Sequence, residues 1–566
     1  MKLFDAVRRA RGRIHAVPRQ STLLYAAAAF LFIFPILRLL NMSLSHDGGG
    51  WTAAYYIQII HDGRAVQSVW NTLWISVCAS AVSATGGLFT AFLTAYTNIR
   101  FKKWIEILVL LPFVIPSYVI TLSWTGLCTA GGGLNMLLKE AGLPAVDLYS
   151  AGGIIAMLGI CHMSLVHITV VHMLRKIPVE SECAARVSGC TSWQVLRTVD
   201  LRQIMPAAAG GTMLAFLSDI DNFAVPAFLG ISSDIPVLST YIYEKVISFG
   251  PDSFSYSAAL ASVLSVIAIA GTGLASIFSR RGAMLDSRRE DHSVRLFLPP
   301  AVRRTAEWGC AAGLTCFSII PLVYMSFSAL LGSYVFSFSA AHMSADNYLF
   351  VLTDSGIRRA FFNSLFMASS AALICLVTGT AIAYLKLRRF SSAASFLEKC
   401  AGMTYSIPGI VLALALAFYW SSPVPGVHTE LYGTHALLIL GYAARYMILQ
   451  IKNSESALLS AEPSIEEAAR ASGCSGFLLW KKIMLPVLAA PMFSGTFLIF
   501  LSALTELTMS SILSSVSTKT LGLAIFNLQQ AGEYGAAAAV SAVILFLMAG
   551  TCALYRLLSY WSMRRH

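Results

Sequence analysis

The sequence predicts an all-α membrane protein of about twelve transmembrane helices, arranged as two parallel-repeat halves of six. Three observations carry that expectation. The 566 residues are 57% hydrophobic and only 12% charged, outside the range of soluble domains. Apolar stretches long enough to cross ~30 Å of hydrocarbon recur from end to end. One nine-residue block is also written twice. Glu182-Cys183-Ala184-Ala185-Arg186-Val187-Ser188-Gly189-Cys190 returns as Glu466-Glu467-Ala468-Ala469-Arg470-Ala471-Ser472-Gly473-Cys474, 284 residues later. Chance is a poor explanation for one polar block at matching points of two hydrophobic halves. The chain reads as a duplicated membrane unit.

The first-half spans are expected at 22–40, 69–96, 104–127, 152–174, 207–230 and 256–279. Those of the second half are expected at 305–330, 360–385, 398–420, 433–451, 491–513 and 536–559. Lipid cannot satisfy a bare backbone, so each must be helical. The first half takes residues 1–279, with the repeated loop at 176–206. A polar, basic linker at 280–304 ends its turn-prone part in Pro299-Pro300. The second half takes 305–566, with its loop at 453–490. Each loop falls between the fourth and fifth span. Asn71-Thr72-Leu73 and Asn363-Ser364-Leu365 open matching second spans. Both third spans hold proline, in Leu111-Pro112-Phe113-Val114-Ile115-Pro116 and in Tyr405-Ser406-Ile407-Pro408-Gly409. Proline removes a backbone donor and kinks a helix. Such kinks suit a pathway that opens and closes, and equally a simple packing irregularity.

The formal charge of +12 alternates by side of the membrane. Lys2, Arg8, Arg9, Arg11, Arg13 and Arg19 lie in the N-terminal tail, and Arg100, Lys102 and Lys103 in the next inner loop. Arg280, Arg281, Arg288, Arg289, Arg295, Arg303 and Arg304 lie in the linker, and Lys386, Arg388, Arg389 and Lys399 in a later inner loop. On the other side, 41–66 has Arg64 alone and 231–255 has Lys245 alone. This is the positive-inside pattern. It places both termini and both repeated loops in the cytoplasm, and it argues against nucleic acid as the reason for the charge. The basic tail followed by 22–40 reads as an uncleaved first span. The eleven cysteines hold no C-x-x-C pair and imply no disulfide framework.

The second loop is locally well built. Ser464-Ile465-Glu466-Glu467 reads as a capping box. Its alanines favour helix and keep one face thin. Gly473 suits a left-handed helix end. A second short helix is expected through Phe477, Leu478 and Trp480 to Lys481-Lys482, before Leu485-Pro486. The product is a short helix-turn-helix whose small residues admit another protein, with Glu466 offering a charge. In the first copy Glu180 stands for Ser464, Cys183 for Glu467 and Arg202 for Pro486, with Pro206 four residues later. That copy is expected to dock less ideally. A capped loop helix with no partner is the plainer reading, and two matching loops weigh against it.

At these residues the chain resembles the membrane subunits of binding-protein-dependent ABC importers, of the type I importer fold. Their signature is an E-A-A-x-x-x-G loop that fits a groove on an ATPase subunit. Leu111 to Val119, Ala444-Arg445-Tyr446 leading into Pro463 to Gly473, and Glu506-Leu507-Thr508 are similar to the ferric-iron permease branch. The resemblance covers nearly the whole chain. Thiamine, aminoethylphosphonate and polyamine permeases share much of the same pattern. It implies ATPase docking by Glu182, Ala184, Ala185 and Gly189, and by Glu466, Glu467, Ala468, Ala469 and Gly473. It also implies two ATP-binding subunits inside, a periplasmic or extracellular substrate-binding protein outside, and a bacterial inner membrane with its lipid around the spans. No cofactor is implied, since ATP is bound by the partner.

Intramembrane acids usually face a cavity or a partner. Asp219, Asp221 and Glu506 follow the loops, and the repeat offset sets Asp221 beside Glu506. Carboxylates suit hard cations, so the three are expected along a translocation pathway. An internal ion pair, with Arg445 or Arg175, is the equal alternative. Cys161-His162-Met163, His167 and His172 tempt a metal reading. Steps of five turn each histidine ~140° around the helix, so they do not share a face. No metal site is expected. No Gly-Lys pair exists, so no G-x-x-x-x-G-K-[ST] loop can be written and no catalytic residue is expected. The rival classes are a gradient-driven secondary transporter, which needs no cytoplasmic dock, and a non-transporting scaffold, which needs no buried acids.

Overall fold

The computed structural model of the protein describes residues 19–45, 50–129, 131–248, 252–282, 291–330, 343–421, 430–474 and 476–563. The basic tail before residue 19 and linker residues 283–290, which carry part of the charge pattern, lie outside them.

The described residues are helical, with two isolated bridges and no strand. Eight helices are long and apolar enough to cross a membrane: Ser21–Leu44, Gly63–Tyr96, Ala151–Leu174, Ser253–Ile277, Pro300–Ser328, Ser355–Arg389, Gly476–Leu504 and Tyr534–Leu557. Two further helix pairs qualify jointly and bring the number to ten. Lys102–Val114 bends into Ser117–Glu140 by 102°, and Ser392–Ser406 into Gly409–Trp420 by 114°. Both bends fall before a proline. Ile115 and Ile407 take extended ψ values of 139° and 135°, because a following proline ring clashes with helical backbone. The expected third-span kinks are therefore sharp breaks.

Two of the twelve expected spans, 207–230 and 433–451, do not qualify by composition. Their helices, Leu201–Asp221 and His435–Ser460, are 21 and 26 residues long. Length is adequate, but one carries Asp219 and Asp221 and the other Arg445, Lys452 and Glu455.

The halves repeat even their irregularities. A π-helical turn at Leu196–Asp200 has its twin at Trp480–Met484, at the same spacing as the repeated loops. Each leads into a fifth helix that stops early, at Asp221 and at Leu504. The chain unwinds over Asn222-Phe223 and over Thr505-Glu506-Leu507, then resumes as Ala224–Leu229 and Thr508–Leu513. Unwound backbone at membrane depth is tolerated where it lines a cavity.

The halves pack directly on each other. One apolar core holds Tyr118, Phe223 and Phe228 of the first with Tyr442, Leu507 and Phe526 of the second. The Phe228 and Phe526 rings lie 5.7 Å apart. The seam is narrower than expected, since one helix runs to Gly282 and the next begins at Pro300.

Candidate functional site

Both repeated blocks form nine-residue helices, Val179–Val187 and Pro463–Ala471. They end identically. Gly189 and Gly473 sit at φ +88° and +82°, a region side-chain-bearing residues avoid. Cys190 N–H donates to Ala185 O at 3.1 Å and Gly189 N–H to Arg186 O at 3.0 Å. Cys474 donates to Ala469 O at 2.9 Å and Gly473 to Arg470 O at 3.0 Å. This is the Schellman pairing, which satisfies the last carbonyls of the helix.

The helix start corrects the sequence reading. The expected capping box at Ser464 does not form. Pro463 occupies the first turn, Glu462 is the cap position, and Ser464 Oγ donates to Glu462 Oε2 at 3.0 Å. Proline's fixed φ begins the helix two residues earlier and draws Ser464 inside it. A reciprocal box forms instead in the first loop. Thr191 N–H donates to Gln194 Oε1 at 2.8 Å, and Gln194 N–H to Thr191 Oγ1 at 3.4 Å. The first loop is therefore as regular as the second.

A second correction concerns the glutamates. Glu466 was expected to face a partner, yet it is 4% exposed, and Glu182 is 3% exposed. Tyr384 and Arg470 donate to Glu466 Oε1, each at 2.5 Å, and Arg388 lies 3.4 Å from Oε2. Tyr96 donates to Glu182 Oε1 at 3.1 Å, and Arg295 pairs with the same oxygen. These two acids anchor the helices to the membrane body. The outward face holds Glu467 and Ala468 in one copy, Cys183 and Ala184 in the other. Ala185 is half-buried and Ala469 buried, so each touches the body rather than the solvent. The anchoring tyrosines and arginines escaped the sequence reading, although Tyr384 and Arg388 stand one helical turn apart.

Between the halves lies a cavity of about 350 Å³. The first third-span break lines it through Ile115, Pro116 and Ser117, and the second reaches it through the Gly409 amide, which donates to the lining residue Asp221. His162, Asp221, Asn222, Arg445, Tyr446 and Glu506 are among its polar lining residues. Asp221 Oδ2 pairs with Arg445 Nη2 at 2.5 Å, and Oδ1 accepts from Gly409 N–H at 2.6 Å. That pair crosses from the first half to the second. A Cβ on Gly409 would stand 2.9 Å from Arg445 Nη1, so any side chain there would displace the guanidinium.

Glu506 is 7% exposed and caps the short helix that follows it. Its Oε2 accepts from Met509 N–H at 2.8 Å and Ser510 N–H at 3.2 Å. Its Oε1 accepts no hydrogen bond from the described residues. Asn222 does the same work in the first half, where its Oδ1 accepts from Val225 N–H at 3.0 Å. The repeat partner of Glu506 is thus Asn222, and the expected pairing of Glu506 with Asp221 is corrected. Asp219, by contrast, is not among the residues that line the cavity. Its side chain is wholly buried beside the cavity wall, 2.6 Å from His162 Nδ1, and accepts from Ser80 Oγ at 3.1 Å. His167 turns to Thr90 Oγ1 at 2.9 Å, so the two histidines meet different partners.

The profile of the binding-protein-dependent transport system inner membrane component matches residues 83–283 and again 375–565. The chain belongs to this family. The permease is similar to a probable ABC transporter permease, y4fN, of Sinorhizobium fredii, at 24% identity over 89% of both chains. It is 21% identical to the Fe(3+)-transport system permease FbpB 2 of Haemophilus influenzae, over 92% of this chain and 93% of that one. It is 22% identical to the ferric transport system permease FbpB of Actinobacillus pleuropneumoniae, over 92% and 75%. This chain is a multi-pass inner-membrane protein in which the family's unit occurs twice. It is not an enzyme, carries no cofactor of its own, and works with an ATPase and a substrate-binding protein.

Proposed function

We propose that this permease imports ferric iron through the cavity between its halves. Two ATPase subunits would dock on the two loops, 176–206 and 453–490. The ten qualifying spans, with the charged helices Leu201–Asp221 and His435–Ser460, make twelve crossings. Both termini and both docking loops face the cytoplasm, in accord with the positive-inside pattern. Glu467, Ala468, Ala184 and the turn glycines Gly189 and Gly473 shape the docking surfaces, and Cys183 takes the place of Glu467 in the first.

One observation carries the pathway reading. Glu506 lines the cavity with one carboxylate oxygen engaged in capping and the other unengaged. A hard trivalent cation prefers such oxygen donors. The near-full-length similarity to permeases named for ferric transport supports the same cargo. The Asp221–Arg445 pair sits across the path as a closure between halves.

The test is Glu506→Gln. The amide oxygen can still cap Met509, so membrane abundance should hold. Labelled iron uptake should fall roughly tenfold, the effect of ~1.4 kcal/mol of lost cation binding. Full abundance with unchanged uptake would sink the pathway role. Uptake of thiamine or aminoethylphosphonate instead of iron, in cells dependent on this chain, would sink the cargo.

A further inference from the structure

The two buried anchoring glutamates are held by arginines of different origin. In the second half the arginine is local. The helix Ser355–Arg389 continues past Tyr384, so Arg388 lies one turn further along the same face. Its Nη2 donates to Leu458 O at 3.0 Å and Ala461 O at 3.1 Å, and its Nε faces Glu466. Arg100 stands at the matching distance after Tyr96, but the helix Gly63–Tyr96 has already ended. Thr97 is extended, Arg100 is exposed, and only its backbone N–H is engaged, with Glu307 Oε1 at 2.7 Å.

Arg295 of the linker fills the vacancy. Its side chain is 4% exposed and pairs with Glu182 through Nη1. Its Nη2 donates to Ile177 O at 2.6 Å. Ile177 is the repeat counterpart of Ala461, so the same carbonyl is used in both halves. The guanidinium lies 5.3 Å from the Tyr96 ring centre. The linker backbone is held as well. Arg295 and Leu296 N–H donate to Tyr96 O at 3.0 and 2.9 Å, Asp291 N–H to Arg175 O at 2.7 Å, and Leu298 N–H to Asn98 Oδ1 at 3.0 Å. A parallel bridge joins Thr97 to Leu296. Four residues spread over eight positions are thus tied to the first half at the root of its docking helix.

We propose that linker residues 291–298 are a strap belonging to the first docking element, and that Arg295 is the positioning residue for the Val179–Val187 helix. The fused chain supplies from the linker what the second half supplies from its own helix. The role of that helix in docking rests on the function proposed above. The strap itself does not.

The test therefore reads the helix directly. Amide hydrogen exchange is followed on the purified full-length protein in lipid nanodiscs. In Arg295→Met, exchange across 179–189 should rise roughly tenfold, as when a buried charge-assisted hydrogen bond is lost, while 463–473 stays as in the wild type. Arg388→Met should do the reverse. Arg295→Lys keeps the charge but lacks the fork that reaches both Glu182 and Ile177 O. It should loosen 179–189 by less, and it serves if the methionine variant does not fold. Unchanged protection at 179–189 in either Arg295 variant, or equal loosening of both docking helices, overturns the strap. Copurification of the ATPase is scored beside it. A loosened helix with undiminished ATPase binding upholds the strap and defeats docking at the first loop.

Discussion

Removing Asp221 should cost more than removing its partner. Arg445 is the buried member of the pair, its side chain 9% exposed against 35% for Asp221. Its Nη1 already lacks a hydrogen-bond partner. Asp221→Ala leaves that guanidinium stranded, which costs about 3 kcal/mol, the low end of the range for a broken buried pair. Glu506 lies within electrostatic reach of Arg445 and keeps the loss there. The Gly409 amide also loses its acceptor, for about 1 kcal/mol more. Arg445→Met leaves a carboxylate that faces the cavity, can hydrate, and keeps the Gly409 amide. That loss should be about 1 kcal/mol. The double variant should cost about 3 kcal/mol less than the two single losses added together, because the stranded charge is gone. The measurement is an SDS titration of the purified protein in mild detergent, with unfolding followed by tryptophan fluorescence. Arg445→Met as damaging as Asp221→Ala, or a double variant equal to the sum, would refute the assignment of a buried, arginine-centred pair between the halves.

Three further outcomes are expected. Gly473→Val and Gly189→Val each force a β-branched residue to positive φ, at a cost of order 1–3 kcal/mol. Membrane insertion should be normal and ATPase copurification should fall for both, whereas undiminished copurification would exclude these helix ends from docking. A reporter enzyme active only outside the cell should be silent after residue 290 and active near residue 426, and the opposite pattern would invert the proposed topology. Finally, the first docking helix should respond to pH through Asp200. Burial, then the charge of Glu182, raises its carboxyl from the ordinary 3.8 to about 6, with Tyr96 and Arg295 facing it and opposing the rise. A raised acid pKa means that the ionised form is disfavoured in the fold, so stability is lost as pH rises through about 6 and regained below it. Exchange protection of 179–189, corrected for intrinsic rates, should therefore be greater near pH 5.5 than near pH 7.5, and Asp200→Asn should abolish the difference. A wild-type helix equally protected at both values would count against a buried, strained carboxylate there.

Much of the architecture is local information. Helical spans follow from apolar length, the third-span breaks from proline, and the ends of the repeated loop helices from Gly189 and Gly473, because each depends on residues within a turn of one another. The duplication was legible for the same reason, being carried by contiguous blocks. The pairings were legible only in part. Arg445 was one of two arginines expected to pair with the buried acids, but which acid it would meet was not foreseen, nor was the pairing of Arg295 with Glu182. Asp221 meets Arg445 across 224 positions, and Arg295 meets Glu182 across 113. Helical periodicity says which residues share a face, but it does not say what packs against that face. The repeat offset of 284 sets Asn222 opposite Glu506, but the shared capping role of the two followed only from where each fifth helix unwinds. The same limit hid the inward turn of Glu182 and Glu466, since a glutamate on a loop helix looks solvated until a tyrosine and an arginine from other elements close over it. The sequence alone determined a duplicated all-helical membrane chain with two matched loops. Tertiary structure decided which charges compensate one another, because burying a charge in a bilayer protein requires a partner, and that partner is chosen by packing rather than by distance along the chain.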